Sequence, residues 1–142
     1  MIGILVTGHG TFASGITSAV KLLAGKPEKY VYVDYLQEHT TDELEYHIRE
    51  KLKELADCEG ILIFADMTEA APYKISSELS VKLKDTFRIR VIGGTNLGML
   101  IQANMARGYV IDVDDLCSLA LDEGRKHIAA YDEAEELRES GR

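Results

Sequence analysis

Tryptophan is absent from this chain, and proline and cysteine occur twice each. Two cysteines, Cys58 and Cys117, lack CxxC spacing and are too few for a disulfide framework, so they read as reduced thiols of a cytoplasmic protein. Basic runs are also missing. The 16 Lys and Arg are outnumbered by 24 Asp and Glu, for a net charge of -8, and nucleic-acid binding is not expected without clustered cations. No apolar run approaches the roughly 20 residues that span a bilayer. The N-terminal apolar stretch is short and lacks a basic leader and cleavage site, so neither membrane insertion nor processing is expected. There is no HExxH, no Cys/His ligand spacing, no GxGxxG, no P-loop and no GxSxG elbow, so no metal or cofactor is expected.

What is present is a chain of 142 residues, 46% hydrophobic, enough for one domain. That domain is expected over residues 1–131. Residues 132–142 are nearly all charged or small and read as a frayed helix or a disordered tail. Four apolar runs, Ile2 to Thr7, Tyr30 to Tyr35, Gly60 to Ala65 and Ile89 to Gly93, alternate with segments of helical periodicity. The pattern predicts an α/β fold, a three-layer sandwich around a mainly parallel four-stranded sheet. The first and third runs are almost continuously apolar, which places them at the sheet centre.

The helices are expected over Phe12 to Ala24, Thr41 to Ala56 with Thr41 as N-cap, from Pro72 or Tyr73 onward, and Gly98 to Ala106. Leu23, Val81 and Leu83 are counted among their apolar positions. A last helix, capped by Asp114, carries Leu116, Leu119, Ala120 and Ile128.

In open parallel sheets, chemistry collects at the carboxyl ends of the strands. Three polar loops meet there: Gly8-His9-Gly10-Thr11, Asp66 to Pro72, and Gly93-Gly94-Thr95-Asn96. Two flanking glycines let His9 be presented on a tight turn and closely approached. The helix that follows would offer the N–H groups of Thr11, Phe12 and Ala13 to an anion, with Gly10, Thr11 and Phe12 as the residues steadying a phosphate. Asp66, leaving the third strand at the same edge, can bind the Nδ1 proton of His9 and leave Nε2 as nucleophile. His39, His47 and His127 read as solvated or partly packed residues.

These segments together resemble the IIA component of the mannose-type sugar phosphotransferase system. The resemblance rests on Thr7-Gly8-His9-Gly10 with Phe12-Ala13-Ser14-Gly15-Ile16, on Asp66 six residues before Pro72, on Gly94 to Met99, and on Leu116 to His127. It implies that His9 accepts a phosphoryl group from the carrier protein HPr and passes it to a IIB component, with Asp66 orienting it. It also implies a homodimer in which an added antiparallel strand is exchanged, and functional association with membrane permease components. Met67, Thr68, Glu69, Pro72, Asn96 and Met99 are candidates for partner docking, with core packing an equal alternative for Met67 and Met99. One departure stands out: where the family often has Gly-Gly-Ser/Thr-Pro, this chain has Glu69-Ala70-Ala71-Pro72. The alternatives are the phosphotransfer subunit of a dihydroxyacetone kinase system, a non-catalytic regulatory module, and a plain flavodoxin-like binding domain.

Overall fold

All four apolar runs form strands. In the computed structural model, which describes residues 1–141, β1 spans Gly3–His9, β2 Tyr30–Tyr35, β3 Ile61–Ala65 and β4 Ile89–Ile92. They pair in the order β2-β1-β3-β4, each pair parallel. β1 and β3 are therefore central, as their continuous apolar character requires: both faces are covered, and Ile4, Leu5, Val6, Leu62, Ile63 and Phe64 are fully buried. The edge strands differ. β2 alternates, leaving Tyr32 40% exposed, while β4 is short and turns Arg90 outward. No antiparallel strand joins this sheet among the described residues.

Strand alternation sorts the core into two layers. Ile4 and Val6 join Leu62, Phe64 and Ile92 beneath three helices, α1 (Phe12–Ala24), α4 (Leu97–Ala106) and α5 (Val113–Lys126). Leu5, Val31, Val33, Ile61, Ile63 and Ile89 face α2 (Thr41–Lys53) and α3 (Ala71–Lys82). This is a three-layer α/β sandwich. Each buried Leu or Ile contributes about 1.5–3 kcal/mol of transfer free energy, so the two layers hold the strand ends in fixed relation. A last helix, α6 (Glu133–Glu139), is capped by Asp132 and buries none of its residues. No helix among the described residues is long and apolar enough to cross a membrane.

Several local expectations are corrected. The α2 cap is Thr40 and not Thr41: its hydroxyl accepts from Glu43 N–H while the Glu43 carboxylate accepts from Thr40 N–H, a capping box. The α5 cap is Asp112 and not Asp114. Asp114 instead bonds Arg90 at 2.8 Å and also Arg88, tying α5 to β4, and these two guanidiniums hold its carboxyl below the ordinary value. Val81 is exposed because it lies two residues, about 200°, around the helix from buried Leu79. Leu23 is exposed in the last turn of α1, and Ile128 falls beyond the end of α5.

Candidate active site

His9 is the last residue of β1, on the same face as Leu5 and Thr7. The strand thus runs two residues past its apolar stretch and delivers the imidazole to the sheet edge. Asp66, one residue beyond β3, is anchored by its own N–H to the Thr7 carbonyl at 3.1 Å. Its Oδ2 lies 2.6 Å from His9 Nδ1 and also accepts the His9 backbone N–H at 2.9 Å, while Oδ1 accepts the Met67 N–H at 2.9 Å. With its backbone anchored and both oxygens engaged, the carboxylate cannot swing away. Bound to a carboxylate, Nδ1 must carry the proton, so the lone pair of the neutral ring resides on Nε2. The imidazole side chain is 49% exposed and the carboxylate 14%. A half-exposed ring with its lone pair on Nε2 is thereby backed by a mostly covered negative charge.

Gly8 makes this approach possible: a Cβ there would come within 2.5 Å of the Phe12 ring and 2.9 Å of the Asp66 side chain. Gly10 turns the chain with φ of +56°, but its N–H donates to the Tyr35 carbonyl at 2.7 Å and is not available to an anion. The N–H groups of Thr11, Phe12 and Ala13 have no acceptor among the described residues, and the Thr11 hydroxyl makes no capping bond. Asp34 sits at this helix end. In register with Gly8 on β2, it accepts the Ser14 N–H at 2.9 Å, so the first turn of α1 already bears one carboxylate.

The docking candidates divide by burial. Met67 is 52% exposed, and Thr68 and Glu69 are exposed beside it. Pro72 and Met99 are core residues, Met99 filling the space that Gly124 leaves open, and neither presents a docking surface. Asn96 caps α4 by accepting from Met99 N–H and donates its amide to the Gly124 carbonyl, both at 2.9 Å, so its two polar ends are spent inside the fold.

Glu69 adopts φ of +63°, a left-handed conformation in which a Cβ is strained. Here the missing glycine has a structural consequence. Glu69→Gly is expected to stabilise the protein by about 0.5–1 kcal/mol, the relief of left-handed strain outweighing the added unfolded-state entropy. Urea unfolding checks this, and a loss of stability would show that the side chain supports the loop.

His39 is a site-edge residue that sequence periodicity does not signal. It lines one open depression with His9, Gly10, Tyr35, Leu36 and Gln37, and the Tyr35 and His9 rings lie 5.8 Å apart. His127 is placed elsewhere, at the C-terminus of α5, packed on Gly98 with Nδ1 2.7 Å from the Glu123 carbonyl.

Residues 3–120 match the family EIIA-man, described as the PTS system fructose IIA component. The mannose-specific EIIAB component of the Escherichia coli (strain K12) PTS is 27% identical over 129 residues, 91% of this chain and 39% of that protein. The chain thus spans about two fifths of that relative. The crystal structure of a phosphotransferase system component EIIA from Streptococcus agalactiae superposes with a TM-score of 0.84 at 30% identity, covering 92% of this chain and 97% of that one. The mannose/sorbose-specific IIA subunit from Enterococcus faecalis, 21% identical with a TM-score of 0.80 over 92% of this chain and 94% of its own, shares the fold. With one family match running from the first strand well into α5, this chain belongs to the EIIA-man family, the IIA components of the fructose and mannose phosphotransferase systems.

Proposed function

We propose that His9 is the phosphoryl acceptor of this IIA component, taking the group on Nε2 from phosphorylated HPr and passing it to a IIB component. The protein does so as a cytoplasmic homodimer serving membrane permease components. The observation that carries the assignment is the 2.6 Å contact between His9 Nδ1 and Asp66 Oδ2 at an exposed edge. In the transfer, the donor's N–P bond breaks and its imidazole leaves with the electron pair, while the Nε2 lone pair of His9 forms the new N–P bond. Nδ1 keeps its proton throughout. The phosphorylated ring is then a cation on its imidazole, and Asp66 stabilises that charge. The open N–H groups of Thr11 and Phe12 are suited to the phosphoryl oxygens, and exposed Met67, Thr68 and Glu69 to contact with a partner.

Incubation with phosphoenolpyruvate, enzyme I and HPr, followed by mass measurement, tests the acceptor. One acid-labile phosphoryl group is expected on the wild type and none on His9→Ala. Equal labelling of both would defeat the assignment. The label should then move to a IIB domain; passage only to a dihydroxyacetone kinase subunit would place the protein in the other system.

A further inference from the structure

The depression beside His9 is walled by the connection between β2 and α2. Its donors besides His9 are the Tyr35 hydroxyl, the Gln37 amide and the His39 ring, and no Lys or Arg lines it. A phosphoryl group on His9 would therefore bring negative charge to a wall without a fixed cation. His39 is the pre-positioned donor among the three side chains. Its backbone N–H donates to the Leu36 carbonyl at 3.0 Å, and its Nδ1 accepts the Leu36 N–H, also at 3.0 Å. This reciprocal clasp fixes the ring against the loop. It also fixes the tautomer: a nitrogen that accepts a hydrogen bond carries no proton, so in the neutral ring the N–H is on Nε2. The half-buried ring also packs edge-on against His47, with centroids 5.0 Å apart.

We propose that His39 is a second catalytic residue of the relay, its Nε2–H donating to a phosphoryl oxygen while the group is on His9. The proposal rests on His9 being the acceptor. His39 makes and breaks no covalent bond; it supplies a donor whose position needs no reorganisation at the moment of transfer.

Two substitutions separate this role from support of the loop. In His39→Asn the amide oxygen replaces Nδ1 and keeps the clasp to Leu36, but the Nε2–H is lost. In His39→Gln the amide nitrogen approximates Nε2 and keeps the donor, while the clasp is lost. With phosphorylated HPr as donor, His39→Asn is expected to label His9 to full stoichiometry but roughly ten- to a hundredfold more slowly, through kcat and not KM. His39→Gln should be faster than His39→Asn. In the wild type, the 15N resonance of His39 Nε2 should shift when His9 is phosphorylated. The reverse order of rates, a wild-type rate for His39→Asn, or an unmoved resonance would overturn the proposal. Absence of label on wild-type His9 would instead overturn the acceptor assignment beneath it, and mass measurement distinguishes that failure.

Discussion

Asp66→Asn is expected to slow phosphoryl transfer through His9 by roughly thirty- to a hundred-and-fifty-fold while leaving the fold intact, the effect of losing about 2–3 kcal/mol of charge-assisted hydrogen bonding. The carboxylate accepts three N–H groups, from His9 Nδ1, the His9 backbone and Met67. A carboxamide has one oxygen and turns an NH2 toward at least one of them. If that NH2 faces Nδ1, the ring must take the other tautomer and its nucleophilic lone pair is no longer on Nε2. If the oxygen faces Nδ1, geometry survives but the negative charge opposite the phosphorylated, cationic ring is gone. Both outcomes depress kcat. Partner affinity should change little, because Asp66 is mostly covered by its own contacts. Rapid-quench transfer from phosphorylated HPr, read alongside circular dichroism, checks this. Wild-type rates in both directions would remove Asp66 from the chemistry.

The pair was legible because each residue lies within two positions of the end of an apolar run. Burial on both faces writes β1 and β3 as continuous hydrophobic segments, so the first polar residues after them, His9 and Asp66, had to emerge at one edge of adjacent strands. Helix caps were legible only to within one or two residues. Thr40 and Thr41, or Asp112 and Asp114, have equal capping chemistry, and the extended backbone at Thr40 and Asp112 decides between them. Residues whose roles come from long-range pairing left little signal. Asp34 reaches Ser14 because β2 lies parallel to β1, and His39 reaches the site because a short loop folds back on Leu36. Pro72 shows the opposite failure, since proximity to a functional loop in sequence suggested docking whereas the residue is buried; for Met99, where docking and core packing were both open, burial selects the core.

Arg107 is expected to be the costliest charged residue to remove. Arg107→Met should destabilise the protein by about 3 kcal/mol, lowering the midpoint of thermal unfolding by roughly 10 °C, yet leave phosphoryl transfer at His9 unchanged at temperatures where the variant is folded. Nothing in the local sequence sets this arginine apart from the surface cations, but only 4% of it is exposed. From the end of α4 its guanidinium donates to the Ile2 carbonyl at 2.9 Å, the Lys29 carbonyl at 3.1 Å and the Glu28 carbonyl, and to Asn104 Oδ1 at 2.8 Å. Ile2 and Lys29 immediately precede β1 and β2, so one planar group gathers two strand starts and a helix end at the edge opposite the site. Methionine matches much of the volume but leaves the Ile2 and Glu28 carbonyls without a donor, while the Lys29 carbonyl keeps the Ile4 N–H at 3.0 Å. Burial pushes the neighbouring Tyr30 phenol up to about 12, and Thr17, whose hydroxyl lies 2.8 Å away, and the Arg107 charge draw it back. Loss of Arg107 should therefore raise that titration further, a second readout by ultraviolet difference spectra. A stability change under 1 kcal/mol would mean that water replaces the guanidinium at little cost. A large one with normal transfer would separate the edge that holds the strands together from the edge that carries the phosphoryl group.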